Sequence, residues 1–234
     1  MSVYTAIVTP FDESGNIDFE SFDNLIKFQI DSKVDGIVIF GTTGEAPTLE
    51  KEEKFELLGR LEKLLESSPE YGDYVNKVIV GFSGNSTNRV VKEIEEFSRF
   101  KFKNYMLSAP YYNKPTQEGI YQHFVKVLSS FPDKDFMIYN IPSRTGVNIL
   151  PETIIRIRDT CRNCYRVKEA SGNLQQSAHL IVSSFSVYSG DDIQSPANYE
   201  MGGCGVVSVA SNLAPFQVKK YRYDHSYFPE GFLE

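Results

Sequence analysis

The chain is poor in the residues that hold metals and staple secreted folds: its 234 residues include three cysteines and three histidines. Three thiols cannot all pair, so a disulfide framework is not expected and reduced side chains are. Cys161 and Cys164 form a lone C-x-x-C. No second such pair and no histidine pair completes a four-ligand zinc site, so two structural thiols are expected and no metal is. Positive charge is also short. With 24 Lys and Arg against 31 Asp and Glu the net charge is −7, which argues against nucleic acid or an anionic membrane as main partner. No apolar run reaches the roughly 20 residues of a membrane span. The opening Ser2-Val3-Tyr4-Thr5-Ala6-Ile7-Val8 passes straight into strand-like sequence, which predicts no leader peptide and a cytoplasmic protein. Missing as well is the glycine-rich turn of a dinucleotide-binding sheet; after the first strand the chain reads Thr9-Pro10-Phe11-Asp12.

What is present is a repeat. Short β-branched runs at 5–8, 36–40, 77–80, 104–107, 136–139, 165–168, 186–189 and 206–209 alternate with amphipathic stretches such as 19–31, 50–67, 87–100 and 117–128. Eight β/α units closed into a ring predict a (β/α)8 TIM barrel rather than an open doubly wound sheet. Thr48 ahead of Glu50 and Glu52, and Pro151-Glu152 just after Asn148, read as helix starts. No Gly/Ser/Pro-rich linker divides the chain, which predicts one barrel domain over residues 1–223 with a last short helix at 212–223. Residues 224–234, with Tyr227, Phe228 and Phe232, form an aromatic tail without helical period.

In such a barrel the chemistry collects at the C-terminal ends of the strands. Those ends read Gly41-Thr42-Thr43-Gly44-Glu45, Pro110-Tyr111-Tyr112-Asn113, Tyr139-Asn140-Ile141-Pro142-Ser143-Arg144, Lys168-Glu169 and Gly190-Asp191-Asp192. Strand alternation puts Lys168 on the face opposite Val167 and Glu169. Pointing inward, its ammonium would be desolvated and its pKa lowered, giving the neutral amine that attacks a carbonyl; pointing outward, it is a solvated strand-end lysine. Tyr139, on the adjacent strand, is either a core tyrosine or a phenol that relays a proton with Thr42, Thr43 and Tyr112. The Gly41-Thr42-Thr43-Gly44 turn offers N–H groups and hydroxyls to a small carboxylate, and Arg144 offers a planar fork to a second one. A simple turn and a surface arginine are the plainer alternatives.

Together the Gly41-Thr42-Thr43-Gly44-Glu45, Tyr139-Asn140-Ile141-Pro142-Ser143-Arg144-Thr145-Gly146 and Val167-Lys168-Glu169-Ala170-Ser171-Gly172 segments resemble the signatures of the dihydrodipicolinate synthase family, within the N-acetylneuraminate lyase superfamily. The resemblance runs from Ala6-Ile7-Val8-Thr9-Pro10-Phe11 to Gly205-Val206-Val207-Ser208-Val209. It implies that Lys168 forms an imine with pyruvate, that Tyr139 is the general acid/base, and that Thr42 and Tyr112 complete its relay, Tyr112 from across a subunit interface. Thr43 and the backbone of Val207 would hold pyruvate near Gly190. The enamine would then attack aspartate semialdehyde, with Arg144 taking that partner's carboxylate. No cofactor is implied, and a homo-oligomer, dimer or tetramer, is. Arg144 speaks against the neighbouring reading, a pyruvate aldolase for keto sugar acids. Two departures from the resemblance stand out. Lys51, Lys54 and Arg89 lie, with Asn85 and Tyr111, where lysine-inhibited relatives bind lysine. Such relatives also continue past the eighth strand with a full helix and a helical extension. A chain without them is expected to leave strands eight and one partly bare, to be less stable and to associate, and a barrel kept only for binding is the third reading.

Overall fold

The structure, a computed structural model, describes residues 1–221. Eight strands follow in order: β1 (Ser2–Ala6), β2 (Gly36–Ile39), β3 (Val78–Phe82), β4 (Asn104–Ser108), β5 (Asp135–Asn140), β6 (Cys164–Glu169), β7 (Ser186–Ser189) and β8 (Gly205–Ser208). Each pairs in parallel with the next, and β8 pairs back onto β1 to close the barrel. The outer helices are α1 (Phe19–Asp31), α2 (Lys51–Glu66), α3 (Thr87–Phe97), α4 (Gln117–Ser130), α5 (Pro151–Thr160), α6 (Leu174–Val182), α7 (Ser195–Glu200) and α8 (Pro215–Tyr221). The eightfold β/α alternation read from the sequence is the observed (β/α)8 fold.

Alternation along each strand splits the apolar residues into two layers. One face packs under the helices; the other, from Ala6, Val38, Ile79, Met106, Met137, Tyr139 and Val207, fills the barrel interior. The helices dock by periodic apolar faces. In α1, Phe22, Ile26 and Ile30 are buried four residues apart, and Asp18 caps the start by accepting the Ser21 N–H at 2.9 Å.

Several boundaries differ from expectation. Thr48 does not cap α2. It lies in a short turn, Ala46–Thr48, while Glu50 and Glu53 form a reciprocal capping box. Val8 lies outside β1 because its N–H leaves the ladder and donates to Asn212 Oδ1 at 3.1 Å. Asn212 is likewise not a helix start. Its amide also donates to the Ala6 carbonyl at 2.8 Å, and the last helix begins at Pro215. That short helix sets Val218 against Met1, Val3 and Val206, so the outer faces of β8 and β1 are covered here and not bare as expected. The aromatic tail at 224–234, and the end of the expected helix, lie outside the described residues.

Candidate active site

Lys168 points into the barrel from the end of β6 and is only 4% exposed. Burial pushes its ammonium down to about 8; Asp192 works against that shift and Arg144 with it. Of the two orientations the sequence leaves open for Lys168, the inward one is observed. Glu169 faces the opposite way and serves as an anchor. Its carboxylate accepts the Ser171 N–H at 2.7 Å, Gln176 Nε2 at 2.8 Å and Asn140 Nδ2 at 3.0 Å, while Asn140 Oδ1 accepts the Ile149 N–H at 3.0 Å. This buried network ties the ends of β5 and β6 to α6 and so holds Lys168 and its neighbour in register.

That neighbour is Tyr139, the ladder partner of Lys168 on β5. The lysine Nζ stands 4.2 Å from the centre of the phenol ring. Burial raises the Tyr139 pKa, partly offset by a hydrogen bond with the Thr42 side chain and by the charge of Arg144. Arg144 sits on a single turn, Pro142–Thr145, that ends on Gly146 at φ 75, a left-handed conformation suited to glycine. Thr42, Tyr139 and Arg144 line one open cavity of about 520 Å³, together with Ser83, Ser108 and Tyr111.

Val207 is fully buried and Gly190 partly so. A Cβ on Gly190 would stand 3.0 Å from Lys168 Cε and 2.6 Å from Ala170 Cβ, so the backbone there must be bare for the lysine to lie across it. Val207 belongs to the interior layer with Tyr139. Thr43 is half-buried beside Thr42. Tyr112 is not brought in by any of the described residues: it is 87% exposed, with φ 76, a conformation that costs a non-glycine residue about 1–3 kcal/mol. Asp192 belongs to the polar Gly190-Asp191-Asp192 strand end, where no motif marks it, yet it is the charge that favours the Lys168 ammonium. Ser83 and Ser108, joined Oγ to Oγ at 3.0 Å, left no mark beyond their place at strand ends. Cys161 and Cys164 are buried and unpaired, Cys164 at the end of β6 opposite to Lys168, and no cluster of three or more His, Cys, Asp or Glu among the described residues is arranged to hold a metal ion.

A closed parallel barrel that buries a lysine against a phenol at the C-terminal end of its strands has the equipment of an imine-forming lyase. Residues 1–223 match the model of the dihydrodipicolinate synthetase family, and the chain belongs to that family. It is 40% identical over 222 residues to the 4-hydroxy-tetrahydrodipicolinate synthase of Thermotoga neapolitana, covering 92% of this chain and 72% of that protein. The crystal structure of dihydrodipicolinate synthase from Thermotoga maritima superposes with a TM-score of 0.86 at 36% identity, over 96% of this chain and 75% of that one. The chloride-inhibited dihydrodipicolinate synthase of Acinetobacter baumannii, solved in complex with pyruvate, also gives 0.86, at 30% identity over 97% and 78% of the two chains.

Proposed function

We propose that this chain is a 4-hydroxy-tetrahydrodipicolinate synthase, condensing pyruvate with L-aspartate 4-semialdehyde on the route to diaminopimelate and lysine. The observation that carries the proposal is Lys168, 4% exposed, held at a pKa of about 8 and set 4.2 Å from the Tyr139 ring. A lysine with that pKa has neutral amine available near neutral pH, which an ordinary lysine lacks. The amine adds to the keto carbon of pyruvate, the carbinolamine loses water, and the resulting iminium loses a methyl proton to become an enamine. That carbon attacks the aldehyde. The substrate's own amino group then closes the ring on the imine carbon and displaces Lys168. Tyr139, linked to Thr42, carries the protons, and Thr43 with the Val207 backbone beside Gly190 receives the pyruvate carboxylate. Arg144, in the outer cavity, takes the carboxylate of the semialdehyde. An exposed Tyr112 in a strained backbone suits a residue that completes the Thr42–Tyr139 relay of a second copy, so the working form is a homo-oligomer. No helix among the described residues is long and apolar enough to cross a membrane, and a cytoplasmic enzyme of one barrel domain, residues 1–223, fits the chemistry. Incubation with pyruvate and borohydride is expected to add a reduced pyruvyl group to the Lys168 peptide. An adduct on another lysine, or none on folded protein, removes the mechanism.

The cationic patch near the outer cavity is partly neutralised, which revises its expected effect. Lys54 pairs with Glu93 at 3.3 Å and Lys51 with Glu96 at 2.6 Å. Repulsion of an incoming ammonium therefore falls mainly to Arg89, while Glu93, which lines the cavity, is already engaged by Lys54. Free lysine is expected to inhibit weakly or not at all, and calorimetry should show no saturable heat. Tight saturable binding would mean that the Lys54–Glu93 pair opens to admit it.

A further inference from the structure

We infer that Asp192 is a positioning carboxylate of the imine site: one oxygen clamps the backbone after β8 to the end of β7, and the other stands as counter-charge to the cationic states of Lys168. The clamp is geometric. Asp192 Oδ2 accepts the N–H groups of Val209 at 2.9 Å and Ala210 at 3.0 Å. It thereby fixes the segment that follows Val207 against the strand end that carries Gly190. Asp192 Oδ1 is buried and has no hydrogen-bond partner among the described residues. A carboxylate oxygen out of water and unpaired costs free energy unless a cation stands near it. Asp192 and Lys168 form no ion pair within 4 Å among the described residues, but Lys168 is the cation whose charged form Asp192 favours. The end of β7 crosses the lysine at Gly190, and two residues later the chain delivers the carboxylate.

The charges around Lys168 leave this role to one residue. From β5 and the turn after it come the Tyr139 phenol and the Arg144 guanidinium, from β7 the Tyr188 phenol, and lower on β6 the Arg166 guanidinium. Burial and Arg144 disfavour the Lys168 ammonium, and Asp192 alone of the charges acting on it favours the cation. In the imine cycle, given Lys168 as the imine-forming lysine proposed above, positive charge appears on that nitrogen when the carbinolamine loses water. It disappears when the enamine forms and returns after carbon–carbon bond formation. A fixed anion beside the nitrogen stabilises each cationic state without reorganising. Asp192 neither gives nor takes a proton in these steps.

The test follows the pH dependence of reductive trapping on the full chain, with pyruvate and cyanoborohydride, read as adduct on the Lys168 peptide. Asp192→Asn keeps an oxygen that accepts from Val209 and Ala210 and removes only the charge. It is expected to move both limbs of the trapping profile to lower pH by about one unit or more, because a nearby opposite charge shifts a pKa by that order. Turnover should fall about tenfold or more with it. Asp192→Glu, which keeps the charge, is expected to retain the wild-type midpoints even if slower. If the Asn variant does not fold, Asp192→Ser, whose hydroxyl can still accept one of the two N–H groups, gives the same readout. A neutral variant whose midpoints superimpose on wild type overturns the counter-charge and leaves only the clamp. Absence of any Lys168 adduct in the wild type removes the imine assignment, and this role for Asp192 with it.

Discussion

Lys168→Met is expected to abolish turnover and, at neutral pH, to raise the melting temperature. The two effects have one cause. The proposed covalent catalysis runs through the Lys168 amine, so its removal should cost at least about a thousandfold in kcat. The same amine is a burden to the fold. Its pKa falls from 10.5 in water to about 8 in the barrel, so below about 8 the folded protein carries a buried ammonium that the unfolded chain would hold in solvent. Linkage gives the sign: between about 8 and 10.5 the unfolded state binds more protons, so wild-type stability rises with pH through that window. Methionine fills a similar volume with no charge to bury and should recover about 2–3 kcal/mol near pH 7. In a chain of this size that is roughly 5–10 °C. The advantage should shrink as wild type loses its proton above pH 8. Thermal melts of both proteins at several pH values, beside a coupled assay, check this. A variant that is inactive and also less stable at pH 7 would mean that the Asp192 counter-charge or solvent outweighs the cost of burying the ammonium, against the lowered pKa.

The parts legible in the sequence were those governed by a short period or a local rule. Strand alternation separates Lys168 from Val167 and Glu169 but leaves open which of the two faces is inward; the barrel sets Lys168 inward and Glu169 outward. Eight β-branched runs separated by amphipathic stretches were enough for the barrel, because closure needs only the count and the parallel order. Boundaries failed where a side chain from far along the chain competes with the local pattern. Val8 has strand character, yet its N–H is taken by Asn212, 204 residues on. Thr48 is a better cap by residue type than Glu50, but the reciprocal Glu50–Glu53 bonds decide where α2 begins. Charge pairing was illegible for the same reason: Glu93 and Glu96 neutralise Lys54 and Lys51 only because α3 lies beside α2.

The site divides along the same line. Lys168 and Tyr139 are ladder partners, so knowing that β5 and β6 are neighbours suffices to bring them together. Asp192 is visible as an acidic residue at a strand end, but the role proposed for it depends on which of its oxygens finds a partner, and that is set by loops after two different strands. Tyr112 stands furthest from a local rule. Among the described residues nothing buries it, and its proposed place in the relay calls for a surface from a second copy.

Arg144→Leu is expected to impair use of aspartate semialdehyde far more than use of pyruvate. Arg144 lines the open cavity on a turn that follows β5, whereas Lys168 and Val207 are buried in the barrel, so the positions proposed for the two substrates differ. A guanidinium that grips a carboxylate with two parallel N–H bonds loses both on replacement by leucine, for about 2–4 kcal/mol of transition-state binding. The side chain is exposed before substrate arrives, which favours the lower half of that range and a fall of roughly 30- to 200-fold in kcat/KM for the semialdehyde. Pyruvate should respond weakly and in a particular direction. Arg144 also disfavours the Lys168 ammonium, so its loss should raise the lysine pKa and shift imine trapping to higher pH, opposite to the shift expected for Asp192→Asn. Steady-state kinetics with each substrate varied in turn, together with the trapping profile, separates these effects. Equal losses on both substrates with an unmoved trapping profile would make Arg144 a structural residue of the Pro142–Thr145 turn, and the preference for a carboxylate-bearing aldehyde would then have to lie elsewhere in the cavity.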